Sequence, residues 1–228
     1  VGVHLGTGVW EWWRGYESVF DALIMDRSTR MRVSVGGQLD LNIQQGEWFR
    51  FVTSTVLHGD ALHLIVNSLA ILGLGRILEP LFGGFRCVVC FSLGAVLASI
   101  GSHVVGVIQS DGASGGAFTL LAVAAVIGFR FRAQWDREDK RLMGPILWDF
   151  ILLNLVLSVV LPFVDGVGHL VGFCVGLVLG WLPVGGWRWL DYLVGSLWMS
   201  VYCGALVFGA WWVLNGWTAL EWIRFWSM

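Results

Sequence analysis

Apolar residues in this chain are grouped into long runs separated by short connectors. Six runs can be delimited: about 61–82, 87–108, 113–129, 145–164, 167–184 and 189–214. A helix needs ~20 residues to cross the hydrocarbon layer of a membrane. The strands of a membrane barrel would instead alternate in polarity over ~10 residues, and these runs do not alternate. The pattern predicts an all-α polytopic membrane protein that is in direct contact with the lipid bilayer.

The composition supports this fold class. The chain is 57% hydrophobic and 13% charged, whereas soluble domains are about half apolar and a quarter charged. Its net charge is −2, and no basic stripe indicates binding to nucleic acid. Several of the 15 tryptophans fall near the ends of the runs, where aromatic side chains anchor helices at the membrane interface.

The positive charges predict an orientation. The connector at 130–141 is the only short loop with a dense cluster of lysine and arginine, so we expect it to be cytoplasmic. Threading the runs back and forth then brings the starts of the third and fifth runs, at 113 and 167, toward the extracytoplasmic face.

The N-terminal part has a different character. Residues 1–57 contain no uncharged run long enough to span, and the apolar stretch 19–25 is interrupted by Asp21. We interpret 1–57 as a surface segment and loop, 58–184 as a membrane core, and 185–228 as an additional helix and tail.

Ser114 is a candidate nucleophile. It lies between Gly112 and Gly115 at the start of an apolar run, where glycines allow close approach of a substrate carbonyl. Backbone N–H groups at a helix start can stabilise an oxyanion. The alternative is a contact between helices through small residues, which is common in membranes.

His169 is the candidate base for that serine. It stands beside glycines at 168, 172, 176 and 180, which are four residues apart and therefore share one helix face. Such a face lets a neighbouring helix approach closely. An ionisable residue within a membrane run is a functional candidate, although a histidine hydrogen-bonded between helices is the alternative.

His63 and Asn67 form a third candidate pair. Their spacing places both on one helix face, and both can donate hydrogen bonds to an oxyanion. With His58 nearby, a metal site is an alternative, although asparagine is a poor ligand for transition metals. The C-x-x-C pair Cys87 and Cys90 lies inside an apolar run, which favours packing over redox or metal chemistry.

These residues together resemble the rhomboid intramembrane serine proteases. The resemblance covers roughly 36–184 and rests on several motifs in order: Gly46-Glu47-Trp48-Phe49-Arg50-Phe51-Val52-Thr53, His58, His63-x-x-x-Asn67, Gly75-Arg76-x-x-Glu79-x-x-x-Gly83, Gly112-Ala113-Ser114-Gly115 and Asp165-x-x-x-His169-x-x-Gly172-x-x-x-Gly176. The resemblance implies a compact six-helix core with a water-filled cavity open to the extracytoplasmic side.

The resemblance also implies roles for individual residues. Ser114 and His169 would form a catalytic dyad without an acidic third member or any metal or cofactor. His63, Asn67 and the Ser114 N–H would bind the oxyanion. Phe118 would pack on the catalytic imidazole, with Gly112, Gly115 and Gly172 as supporting residues. The substrates would be single-pass transmembrane proteins.

Two further expectations follow. One comes from a difference between this chain and the family pattern, and the other from residues that this chain shares with the family. The family core begins with a membrane helix before residues 47–50, and no run of that kind precedes them here, so we expect a natural form with an apolar segment before Val1. Inactive relatives that only bind membrane clients usually lack the serine or the histidine, and this chain has both.

Asp149 and Asn154, in the fourth run, could gate substrate entry or hydrogen-bond between helices.

Overall fold

The computed structural model is an all-α bundle, as the run pattern predicted. It describes residues 1–13, 20, 24, 28–161, 164–182 and 188–215. The six apolar runs form the six main helices: α5 (Ala61–Phe82), α6 (Gly84–Val104), α7 (Ser114–Arg130), α9 (Leu147–Val160), α10 (Gly166–Leu179) and α11 (Arg188–Asn215). Shorter helices are α1 (Gly2–Trp13), α2 (Thr29–Ser34), α3 (Asp40–Gln44), α4 (Arg50–Thr53) and α8 (Arg137–Arg141).

Length and composition make this an integral, multi-pass membrane protein. Among the described residues, four helical segments are long and apolar enough to cross a membrane: Ala61–Phe82, Gly84–Val104, Leu142–Val160 and Tyr192–Asn215. The two shorter apolar helices, α7 and α10, carry the candidate serine and histidine.

Helix α7 lies at the centre of the bundle. Every residue from 115 to 128 is buried, and α5, α6 and α10 pack around it. Its small side chains allow this enclosure. Gly116 is an example, because a Cβ there would lie 2.6 Å from the Phe91 ring of α6.

The predicted glycine face of α10 packs on α7. A Cβ on Gly172 would overlap the carbonyl oxygen of Gly115, and one on Gly176 would overlap that of Thr119. Gly180 continues the same line against Val126. The four-residue spacing therefore predicted the close backbone approach of these two helices correctly.

Several run boundaries differ from the expectation by two to five residues, among them the end of α6 and the start of α9. Helix α6 ends at Val104 although apolar residues continue to 108, because the chain turns at Gly106, with φ 86°. Helix α9 begins after a π-helical turn, Leu142–Ile146, in which Gly144 is non-helical and Pro145 follows. Hydrophobicity continues through both places, so the run pattern alone could not mark them.

The segment before α5 forms a scaffold around the start of α7. Strand β1 (Gln38–Leu39) pairs antiparallel with β2 (Gln109–Ser110). The buried Arg50 guanidinium lies 2.5 Å from the Glu47 carboxylate and donates to the carbonyl oxygens of Val33 and Gly37, both at 2.7 Å. A network of backbone and buried polar contacts thus holds this loop against the core.

Helix α11 packs on this scaffold and on α6. Tyr202 and Thr55 share a hydrogen bond of 2.8 Å between their hydroxyls, and the Trp198 indole donates to Ser92 at 2.8 Å. Near the other end, the Trp212 and Phe49 rings have centroids 5.6 Å apart. The helix predicted as an addition after the core is therefore a packing partner of the loop.

The structure describes only parts of the predicted N- and C-terminal segments. Most of the stretch 19–25 and the tail 216–228 lie outside the described residues. Among the described residues before Arg50, the longest helix is α1, with 12 residues.

Candidate active site

Ser114 is the first residue of α7 and is half-buried. The chain reaches it through Gly112, whose φ of 134° belongs to the region that side chains disfavour. A Cβ on Gly112 would also lie 2.8 Å from Cε1 of His63 and 3.7 Å from Nδ2 of Asn67. Glycine is therefore required here for both conformation and space, and the approach to Ser114 runs directly past the predicted oxyanion pair.

His63 and Asn67 occupy successive turns of α5. The helix is capped by Asp60, whose carboxylate accepts the His63 backbone N–H at 2.7 Å. Asn67 is 6% exposed, and within the described part of the chain its Nδ2 has no hydrogen-bond partner. A buried amide without a partner is costly, so a free donor facing the serine loop is typical of a site that receives an acceptor.

The loop before Ser114 is fixed from the α4 side. The Gly112 N–H donates to the Ser54 carbonyl at 3.0 Å. The Asp111 carboxylate accepts the Gln38 N–H at 2.8 Å and lies 3.7 Å from the Arg32 guanidinium. Burial raises the pKa of Asp111, against the lowering effects of Gln38 and Arg32. These contacts were not predicted from the sequence, because they join residues about 70 positions apart.

The His169 imidazole is held on two sides. Its ring stacks on Phe118, with centroids 4.2 Å apart and planes at 19°, and its Nδ1 lies 2.5 Å from the Ser158 hydroxyl of α9. His169 itself is 9% exposed. The contact with Phe118 is the one that the family resemblance implied, whereas Ser158 was not singled out.

Helices α7 and α10, which carry Ser114 and His169, are in backbone contact close to both residues. A Cβ on Gly115 would lie 3.8 Å from the Gly168 carbonyl oxygen, and the Thr119 hydroxyl donates to the Gly172 carbonyl at 2.8 Å. The hydrogen bonds of the described residues do not include one from Ser114 Oγ to His169. Catalytic hydrogen bonds are often long without substrate and tighten when it binds.

Asp165 locks the start of α10. Its carboxylate accepts the Gly168 N–H at 2.8 Å and the hydroxyls of Ser102 and Ser110, each at 2.5 Å. It thereby ties α10 to the end of α6 and to β2. The family motif includes Asp165, and its position just before α10 is the helix-capping signal in the sequence for this role.

The remaining candidates from the sequence are a metal site, the C-x-x-C pair and two polar residues of the fourth run. Among the residues that the structure describes, no three His, Cys, Asp or Glu side chains are grouped to hold a metal. Cys87 and Cys90 are both buried in the apolar core. Asp149 is exposed, and the Asn154 amide donates to the Phe150 carbonyl of its own helix at 2.8 Å, so its hydrogen bond does not cross to a neighbour.

The fold and this arrangement define a helical membrane protein with a serine, a histidine and amide donors at one end of a tight bundle. The Rhomboid domain model matches residues 45–185, and the chain belongs to the rhomboid family.

Curated relatives include both protease-named and inactive members. The chain is 29% identical to "Rhomboid protease GluP" of Bacillus subtilis over 80% of its own length and 36% of that protein's length. It is 28% identical to "Putative rhomboid protease YdcA" of the same organism, over 64% of the chain and 72% of the relative. It is also 27% identical to human "Inactive rhomboid protein 2" over 58% of the chain and 15% of the relative.

Proposed function

We propose that this protein is an intramembrane serine endopeptidase that cleaves transmembrane segments of single-pass membrane proteins. The observation that carries the proposal is the buried Nδ2 of Asn67, which has no partner among the described residues and lies beside the loop leading into Ser114. A buried donor beside a candidate nucleophile has an evident use in binding an oxyanion.

In the proposed acylation step, Ser114 Oγ attacks the carbonyl carbon of the scissile peptide while its proton passes to His169 Nε2. The negative charge forms on the carbonyl oxygen, where His63, Asn67 and the Ser114 N–H donate hydrogen bonds. Collapse of the tetrahedral intermediate breaks the peptide C–N bond, and His169 donates the proton to the leaving amine.

In the proposed deacylation step, water attacks the ester carbon as His169 takes one of its protons. The ester bond to Ser114 then breaks and the proton returns to Oγ, which releases the acid product and restores the enzyme. The groups that take part in this chemistry are the side chains, the Ser114 backbone N–H and water. We further propose that the site opens to the extracytoplasmic face.

A second function is a client-binding protein without protease activity; the human relative is named as inactive. The retained serine, histidine, His63 and Asn67 favour the protease. Gly112 supports the same choice, since its conformation leaves the space beside His63 open.

The test is incubation of the purified protein in detergent with a generic single-pass substrate, followed by mass mapping of the products. Ser114→Ala and His169→Ala should each abolish cleavage, and the double variant should be little worse than either, because the dyad acts as a unit. A fluorophosphonate probe should label Ser114. Full cleavage by Ser114→Ala would refute the protease proposal, and client binding without cleavage by the unaltered chain would support the second function.

A further inference from the structure

Ser158 makes a polar contact with the candidate base from outside the serine helix. It is one of three buried residues of α9, with Leu147 and Ile151, and is 7% exposed. Its hydroxyl lies 2.5 Å from His169 Nδ1, the ring nitrogen that does not face Ser114 in the proposed mechanism. Gly166 makes this approach possible, because a Cβ there would lie 2.6 Å from the Ser158 carbonyl oxygen.

The direction of this hydrogen bond follows from counting protons. A serine hydroxyl has one proton to donate and lone pairs to accept. Ser158 Oγ lies 2.7 Å from the carbonyl oxygen of Asn154, one turn earlier in α9. A carbonyl can only accept, so the hydroxyl proton is directed there. With its one proton directed to Asn154, the hydroxyl oxygen accepts from His169 Nδ1, and this arrangement provides a hydrogen for both contacts of Ser158.

The consequence concerns the opposite nitrogen of the ring. In a neutral imidazole, one nitrogen carries the proton and the other accepts, and the bond made by one nitrogen fixes the state of the other. With the proton on Nδ1, Nε2 has a free lone pair. If Ser158 donated instead, Nε2 would carry a proton and could not serve as a base.

The second contact of the ring complements this one. Stacking on Phe118 fixes the plane of the imidazole, but a stacked ring can still exchange its edges by rotating. A directional hydrogen bond at Nδ1 opposes that rotation. Helix α7 therefore fixes the plane of the ring through Phe118, and helix α9 fixes its rotation within that plane through Ser158.

We propose that Ser158 is a positioning residue that holds His169 in the Nδ1–H tautomer and leaves Nε2 able to take the Ser114 proton. This inference rests on the proposed function for its catalytic meaning. The tautomer itself can be measured whether or not the protein cleaves anything.

The experiment records ¹⁵N NMR spectra of the full chain labelled at histidine, in detergent at a pH where the ring is neutral. The His169 signals are identified by their loss in His169→Gln. We expect a protonated Nδ1 and an unprotonated Nε2. Ser158→Ala should change the tautomer ratio by about fivefold, the factor that one neutral hydrogen bond of about 1 kcal/mol contributes to an equilibrium. For a substrate that is cleaved, kcat should fall in proportion to the lost fraction of the Nδ1–H tautomer, with KM unchanged.

Two further variants separate positioning from packing. Ser158→Thr keeps a hydroxyl that can bond one turn back and should restore both the tautomer and kcat. Ser200→Ala makes the same chemical change at an exposed serine whose hydroxyl also bonds one turn back, to Ser196 at 2.8 Å, and should alter neither. If Ser158→Ala does not fold, Ser158→Cys provides a weaker acceptor at the same position and should shift the tautomer in the same direction.

The outcomes are distinct. A proton on Nε2 in the unaltered protein would overturn the inference, as would an unchanged tautomer in Ser158→Ala. A lower kcat with an unchanged tautomer would assign Ser158 to packing only. The expected tautomer in a protein that fails to cleave would contradict the proposed protease function and leave the role of Ser158 intact.

Discussion

At the scale of single residues, the site includes a buried amide donor with unused bonding capacity. Asn67 Nδ2 is buried and unpaired among the described residues, beside Gly112 and therefore close to Ser114. In the proposed mechanism, a donor in this position stabilises charge that develops only during the reaction. Its removal should lower the rate of the chemical step without weakening the fold.

The first prediction is that Asn67→Ala lowers kcat by about ten- to a thousand-fold, the range for loss of one oxyanion donor. Stability should hold, because alanine favours the helix and the lost Nδ2 has no partner among the described residues. Asn215→Ala is the matched control, since that amide is exposed and bonds within its own helix. Steady-state cleavage and thermal melting measure both effects. Equal rates for the two variants would remove Asn67 from the oxyanion site.

The second prediction concerns acid stability. His58, in the loop before α5, is 4% exposed, and burial, with smaller effects of His63 and His4, lowers its pKa to about 3. An unfolded histidine has a pKa of about 6.5. Between these values the unfolded chain binds the extra proton, so His58 makes the free energy of unfolding decrease as pH falls through this window.

Replacement of His58 by glutamine removes this titration. We expect the melting temperature of His58→Gln to depend less on pH between about 6.5 and 4 than that of the unaltered protein, with each protein referenced to its own value at pH 8. Identical pH dependence in both proteins would show that His58 does not titrate in this way.

At the scale of helices, the contact between α7 and α10 depends on glycine. The carbonyl oxygens of Gly115 and Thr119 occupy the space that side chains at 172 and 176 would need. Backbone atoms cannot move aside as flexible side chains can, so larger residues must separate the helices.

The third prediction is that Gly176→Val destabilises the bundle by at least ~1–3 kcal/mol, the usual cost of overpacking. Gly73→Val is the matched control, because a Cβ at Gly73 meets nothing within 4 Å. Melting in detergent should show a large loss for the first variant and a small one for the second. Equal losses would indicate that helix propensity, rather than the α7–α10 contact, controls the effect.

The sequence predicted helices better than it predicted the contacts that cross between them. Run length located six helices within a few residues, and glycine spacing identified the packing face of α10. The end of α6 and the kink before α9 could not be predicted from the sequence, because apolar residues continue through both places. Ser158, Asp111 and Gln38 were also missed, because a polar residue in a run has no sequence signal that names its partner on another helix.

At the scale of the whole molecule, the site is assembled by elements distant in the chain. The scaffold of residues 28–57 supports the Ser114 loop, and α11 packs on that scaffold through Tyr202 and Trp212. α9 reaches His169 through Ser158. Helix α11 runs from the start of α6, where Tyr192 stacks on Phe85, to Phe49 in the loop.

The last prediction is the orientation of this assembly in the membrane. The connector at 130–141 carries the dense basic cluster, so the positive-inside rule makes it cytoplasmic. The connector at 105–112, at the other end of α7, is then extracytoplasmic, together with Ser114. Cysteines introduced at Val105 and Ala133 test this without altering the basic cluster, and both positions are exposed. In intact cells a membrane-impermeant maleimide should label Val105→Cys, whereas Ala133→Cys should react only after permeabilisation. The parent chain provides the background from the exposed Cys174 and Cys203. The reverse labelling pattern would place the site on the cytoplasmic side and contradict the proposed opening.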